Sequence, residues 1–338
     1  METTGHATHM GINGGRRAAQ HCVCILLAVL SLFLTQLFIS WAHGPSPAGV
    51  FETTKGNVSA IFPIEVTMDR WTSYIDAAIP SICNIFLCFS LVMVFQRNYF
   101  GPVCCNPEVH PPLFYLTWPV ICVTDIGGLF LWESGEILQA LCMRLLPPAL
   151  SFYMLFVSYN NLKRCRPLLH ITSSRLTWFT YYATQNSLAL SAWWTLTNAL
   201  VNLGVVLKYT IGLQDPLVSS VVLTLLFLAM LLWFILQTFV LVNYIHYTFT
   251  VYPILILGLG AMFTRGYQVH DMAPNTIYCG FLMMVATIMN CIMLFSLCCD
   301  SRRPSTSTHK PFPRLKDCPS VCQSVDKLGT ERAKGNMA

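Results

Sequence analysis

The chain has 338 residues, 54% of them hydrophobic and only 10% charged, with a formal net charge of +5 and a mean hydropathy of +0.56. A soluble domain carries roughly 25% charged residues, so this composition excludes a soluble enzyme and implies no nucleic-acid partner. It predicts an all-α, polytopic bundle of about eight membrane-spanning helices, because an open strand leaves its backbone unpaired in lipid.

Residues 1–20 are polar and Gly-rich and read as a disordered tail. The first apolar run, His21–Ala42, follows Arg16-Arg17 and ends in Ser40-Trp41-Ala42, a pattern shared with cleaved signal peptides. Its core Cys22–Ser40 exceeds the usual signal core of about 7–15 residues, which favours a retained helix; cleavage would leave seven spans. The loop His43–Ser73 is the one segment on its side large enough to form a cap. It holds the only acceptor triplet, Asn57-Val58-Ser59, a candidate glycosylation site.

The second run is Tyr74–Phe95, followed by a connector containing Cys104-Cys105. The third and fourth, Pro111–Trp132 and Glu136–Tyr159, meet at the turn Glu133-Ser134-Gly135-Glu136. Asp125 and Arg144 are equidistant from that turn, which puts both about 10–14 Å below it at 1.5 Å per residue. A lone charge there costs about 2.5–3.5 kcal/mol, so the pattern predicts an intramembrane ion pair, Asp125–Arg144. The competing reading has Arg144 snorkelling outward and Asp125 bonded to a hydroxyl. Pro147-Pro148 is expected to break or kink the fourth helix.

The connector Asn160–Ala183 is basic and then aromatic, suited to a headgroup layer. In the fifth run, Thr184–Leu207, the residues Ser187, Ser191, Thr195, Asn198 and Asn202 recur at helical spacing and form one polar stripe. Such a stripe serves either as glue between helices or as a ligand-lining face. The remaining runs are Pro216–Val242, Tyr247–Phe263 and Ala273–Cys299; the first carries Gln237 and the last Asn290, both expected to join the stripe's network. Tyr247–Phe263 is the shortest and contains Pro253. Trp118, Trp193, Trp194 and Trp233 are candidates to wall a pocket, while Trp132 and Trp178 fit interface anchors. Cys298 and Cys299 are juxtamembrane palmitoylation candidates, ahead of Cys22, Cys24, Cys104 and Cys105. Residues 300–338 read as a second disordered tail, with Ser305–Thr308 after Arg302-Arg303 in a kinase-site pattern.

Fifteen of the 20 Lys and Arg residues fall on one side of this arrangement: Arg16, Arg17, Arg97, Lys163, Arg164, Arg166, Arg175 and those after Cys299. The positive-inside rule makes that side, with both termini, cytoplasmic in the plasma membrane or endomembrane system. None of the 15 cysteines lies in an external loop, as free thiols in a reducing compartment require. Cys318-Pro-Ser-Val-Cys322 lacks the second pair of a zinc site, and of the histidines only His246 is placed near a span, so no metal or cofactor is expected. Zincin, elbow and phosphate-loop motifs are absent, and so are receptor signatures such as Asp-Arg-Tyr after the third span, so an enzyme or a G-protein-coupled receptor is not expected.

The stretches Thr184–Leu207 and Leu231–Pro253 resemble a family of uncharacterised multi-pass membrane proteins of animals. The likeness rests on Gln185, Asn186, Trp194, Thr195, Asn202, Val206 and Leu207, then Trp233, Phe234, Tyr247, Thr250, Val251, Tyr252 and Pro253, within Ala149–Cys298. It implies the fold and no chemistry. The Trp-rich spans are also similar to tryptophan-rich sensory (translocator) proteins, which bind porphyrins or sterols in a five-helix bundle; this chain has more spans. The resulting expectation is a membrane protein, surrounded by lipid, that binds, senses or carries a small lipophilic ligand. The alternative is an accessory membrane subunit without its own ligand, in an oligomer or beside a partner membrane protein.

Overall fold

A computed structural model describes residues 3–43, 50, 59–98, 101–102, 104, 108–172, 178–240, 245, 247–267 and 273–302, with backbone alone for 3–14, 98, 101, 166–172 and 300–302. The apolar runs form helices: α1 (Thr3–His43), α2 (Thr72–Phe95), α3 (Pro112–Glu133), α4 (Ile137–Thr172), α5 (Asn186–Tyr209), α6 (Asp215–Ile235), α7 (Val251–Gly266) and α8 (Pro274–Arg302). Seven of them are long and apolar enough to cross a membrane, and α7 is a shorter apolar helix. The chain is therefore a polytopic helical membrane protein. A two-residue antiparallel bridge, Arg97–Asn98 with Gly101–Pro102, follows α2. α1 takes in most of the segment that composition assigns to a disordered tail, starting at Thr3.

The helices alternate in direction, so their ends collect on two faces. One face, here the turn face, carries Ser134–Glu136, Thr210–Gln214 and the segment 59–71; the other, the tail face, carries the basic connectors. Two glycines close the tight hairpins of the turn face. Gly135 (φ 76°) and Gly212 (φ 81°) take the left-handed conformation that ends α3 and α5. The Glu136 amide then donates to the Leu131 carbonyl (3.0 Å) and the Leu213 amide to that of Leu207 (3.2 Å).

Packing divides the helices into two rings that share α5. In the first, α1 packs on α2 and α3, α3 on α4, and both α4 and α2 on α5. In the second, α5 packs on α6 and α7, and α8 closes the circuit against both. α1 belongs to the bundle: Ile25, Ala28 and Leu32 are buried. Segment 59–71 caps the turn face. Its Glu65 carboxylate accepts from the Asn275 amide (2.6 Å), and the Asp69 amide donates to the Ala261 carbonyl (3.2 Å). The Lys208 ammonium ties the Pro63 carbonyl (2.6 Å) to Asp215 (2.9 Å).

Two expectations about the helices need correction. α4 runs unbroken through Pro147-Pro148; the lost amides deprive the Met143 and Arg144 carbonyls of their helical donors without ending the helix. The run Tyr247–Phe263 is not helical throughout. α7 begins only at Val251 and its 16 residues reach about 24 Å, short of a hydrocarbon core of roughly 30 Å. The preceding Tyr247–Thr250 is non-helical, and side chains from other helices satisfy its backbone, as lipid-depth irregular chain requires. The Asn186 amide nitrogen donates to the carbonyls of Tyr247 (2.9 Å) and Tyr181 (3.0 Å), and its oxygen accepts from the amides of Phe249 (3.0 Å) and Thr250 (3.2 Å). The Gln237 amide donates to the Thr248 carbonyl (2.8 Å) and accepts from the Tyr252 hydroxyl (3.1 Å). Asn186 directly follows the π-helical turn Thr180–Gln185, and Gln237 lies within a second, Leu236–Val240.

Candidate functional site

The first ring encloses a small cavity of about 70 Å³, lined by all five of its helices. Near the turn face its wall is polar: His43 from α1, Asp76 from α2, Asp125 from α3, Arg144 from α4 and Asn198 from α5. Towards the middle of the bundle it becomes apolar, with Leu32, Ile79, Cys83, Trp118 and Ile121. A second, wider space of about 310 Å³ lies between α5 and the cap and shares His43, Arg144 and Asn198 with the first. The two lie side by side across these residues; the wider is here called the vestibule and the narrower the chamber.

Asp76 is held by two side chains. It accepts from the indole N–H of Trp194 at 2.7 Å and lies 3.2 Å from Nε2 of His43. Asp125 and Arg144 face one another across α3 and α4 with Nη1 and Oδ1 4.0 Å apart. That contact is looser than a charge-assisted hydrogen bond of about 2.7–2.9 Å. The Arg144 guanidinium lies over Gly128, where an added Cβ would stand 3.0 Å from Nε. Only 15% of the Arg144 side chain is exposed, and it makes no hydrogen bond to protein among the described residues.

The α5 stripe divides. Ser191, Thr195 and Asn198 line the chamber, and Asn198 and Asn202 the vestibule. Ser187 does not join them; it lies on an apolar groove between α2 and α5 walled by Phe86, Phe89 and Phe179. The bonds these side chains make stay within their own helix: Thr195 to the Ser191 carbonyl (2.8 Å), Asn198 to that of Trp194 (3.1 Å) and Ser187 to that of Thr184 (3.1 Å). None of the five side chains bonds a neighbouring helix among the described residues; the Ser187 carbonyl accepts from the Cys83 thiol of α2 (3.9 Å).

Of the four candidate pocket tryptophans, Trp118 and Trp194 line the chamber. Trp193 and Trp233 do not: they pack edge to face on one another (5.8 Å), and Trp193 likewise on Phe152 (5.8 Å). Trp132 is no interface anchor either, being buried and part of the vestibule wall. Trp178 is exposed and stacks on Tyr182 (5.3 Å). Gln237 serves the α7 connector rather than the stripe. Asn290, with its Oδ1 buried and unpartnered among the described residues, lies on α8 in the other ring.

The histidine reading is also corrected. His43 reaches the chamber, and His21 and His110 are buried together near the tail face. His21 Nε2 lies 3.2 Å from the His110 carbonyl, and His110 Nε2 lies 3.2 Å from the Ser158 hydroxyl. Burial, and then the neighbouring His21 charge, push the His110 imidazole down to about 3. Cys298 and Cys299 are exposed on the last turns of α8, where acyl transfer is sterically open. Asn57, His246, Cys318, Cys322 and Ser305–Thr308 lie outside the described residues. Among the described residues no group of three or more His, Cys, Asp or Glu is placed to hold a metal.

Asp76 and His43 escaped the sequence reading. A carboxylate inside an apolar run is itself a signal, and Asp76 sits three residues into the run Tyr74–Phe95 by any count that starts at Tyr74. Comparison with family models, curated proteins and solved structures returned no match.

Proposed function

We propose that the protein binds, senses or carries a small lipophilic ligand with one polar end. The ligand enters from the turn face, leaves its polar end among Arg144, Asn198 and Asn202, and extends its apolar part towards Ile121 and Trp118. The observation that supports this reading is the α5 stripe: Ser191, Thr195 and Asn198 line a chamber, and among the described residues their side chains bond only within their own helix, unlike the interhelical hydrogen bonds of polar helix glue. A mostly apolar wall with a few convergent polar groups is the usual make-up of a small-molecule site.

The test is the melting temperature of the purified protein against a panel of lipids, sterols and porphyrins. A ligand restricted to the folded state adds about 2.7 kcal/mol at a hundredfold excess over Kd. Loss of a hit in Asn198→Leu, with the unliganded melting temperature preserved, places the ligand in the chamber. A flat panel sinks this reading and favours an accessory subunit held together by the Asp76–Trp194 and Asp125–Arg144 contacts.

A further inference from the structure

Resting on that reading, we propose that the polar end of the ligand is an anion, a carboxylate or a phosphate monoester, seated in the vestibule against Arg144, Arg70 and Arg265. The first reason is Arg144. A guanidinium carries five N–H donors, and those that no protein group accepts turn to water or to a ligand. Arg144 is largely buried, makes no hydrogen bond to protein among the described residues, and meets Asp125 only at 4.0 Å. It lines both spaces, so its donors are presented to whatever fills them.

The second reason is the charge of the vestibule wall. Arg70 from the cap and Arg265 from the end of α7 both line it, and both are exposed. Among the described residues Asp69 is the one carboxylate on that wall, against the three arginines; its oxygens accept from the Arg70 amide (2.6 Å) and the Thr264 hydroxyl (3.3 Å). The amides of Asn198 and Asn202 add neutral donors. Positive lining with low-dielectric walls concentrates anions.

Two further carboxylates fix how deep the head group goes. Asp76 and Asp125 line the chamber and not the vestibule, and like charges repel strongly where water is scarce. An anionic head therefore stops at Arg144 while an uncharged chain passes on. The arrangement selects an amphiphile over a small inorganic anion, which would find no use for the apolar chamber.

The experiment uses the full chain in neutral-lipid nanodiscs with four probes at equal concentration: octanoate, octyl phosphate, octanol and octylammonium. Octanoate or octyl phosphate is expected to raise the melting temperature, and the tighter of the two names the head group. Octanol and octylammonium are expected to bind at least roughly tenfold more weakly, the factor for one charge-assisted bond. Arg144→Gln should weaken anion binding by roughly tenfold or more. The exposed variants Arg70→Gln and Arg265→Gln should weaken it by roughly threefold to tenfold, with the unliganded melting temperature unchanged. Octanol binding as tightly as the anions, or affinities indifferent to both exposed arginines, overturns the charge assignment and leaves the ligand pocket standing. Failure of all four probes, together with a flat lipid, sterol and porphyrin panel, removes the pocket and this inference with it.

Discussion

Arg144 is seated by what Gly128 lacks. A Cβ there would press within 3.0–3.4 Å of Arg144 Nε, Cδ and Cγ, so Gly128→Val should displace the guanidinium and cost about 1–3 kcal/mol of stability by overpacking. Chemical unfolding in detergent measures it; an unchanged midpoint would mean the seat is not filled as described. A double-mutant cycle on Asp125→Ala and Arg144→Ala should give a coupling of about 0.5–1.5 kcal/mol, the modest end expected of a 4.0 Å contact. At the tail face, His110 is held neutral when folded, with its pKa lowered to about 3 against an ordinary value of 6.5. A depressed histidine contributes stability that is fully present above 6.5 and declines as pH falls towards 3, by about 1.4 kcal/mol per unit. His21 from α1 and Ser158 from α4 face this residue, and Glu108 faces His21 at 3.6 Å. His110→Gln should flatten the acid limb of the melting temperature against pH between 6.5 and 4.5; an identical limb would assign the acid sensitivity to other groups. Simple counting from a turn was enough to bring Asp125 opposite Arg144, since hairpin partners share depth. Asp76 was not legible in the same way, because its donor Trp194 is 118 residues distant and comes from a helix whose neighbours no local pattern names.

At the scale of elements, α7 and its connector depend on amides borrowed from elsewhere. Asn186 satisfies four backbone groups of two segments, and each buried group left unpaired costs about 1–3 kcal/mol. Asn186→Leu is therefore expected to cost at least about 3 kcal/mol, whereas Asn198→Leu, which gives up a bond only to its own helix, should cost less than about 1 kcal/mol. Equal losses in a thermal unfolding comparison would contradict this division between structural and lining asparagines. The contrast also explains what the sequence conveyed poorly. Apolar composition runs straight through Tyr247–Phe263, since chain buried in protein and chain facing lipid are both apolar, and the break at Val251 is set by Asn186 and Gln237 on other helices. At Pro147-Pro148 the break is not found: each proline costs a helix one bond, and flanking turns packed on both sides hold it together. The even spacing of the α5 stripe was legible as a single face, but where that face changes from groove to chamber depends on how α2 crosses α5.

For the molecule as a whole, hydropathy sufficed to predict a polytopic bundle, whereas its division into two rings needed the packing of eight helices at once. We expect the tail face, with its preponderance of Lys and Arg, to be cytoplasmic. Terminal epitope tags should then be reachable only after permeabilisation, and Asn57→Gln should abolish a glycosidase-sensitive mobility shift; tags accessible on intact cells would reverse the orientation. One residue has a consequence at this scale. Trp194 anchors its indole N–H on Asp76 of α2, and the far edge of the same ring faces Gly258 of α7, whose added Cβ would lie 3.8 Å from Cζ3. A flat side chain held at one edge and standing beside a second helix at the other behaves as a lever. A displacement of Asp76 in one ring would swing that lever towards α7 in the other, so the short, amide-tethered helix is where a filled chamber would first be felt mechanically.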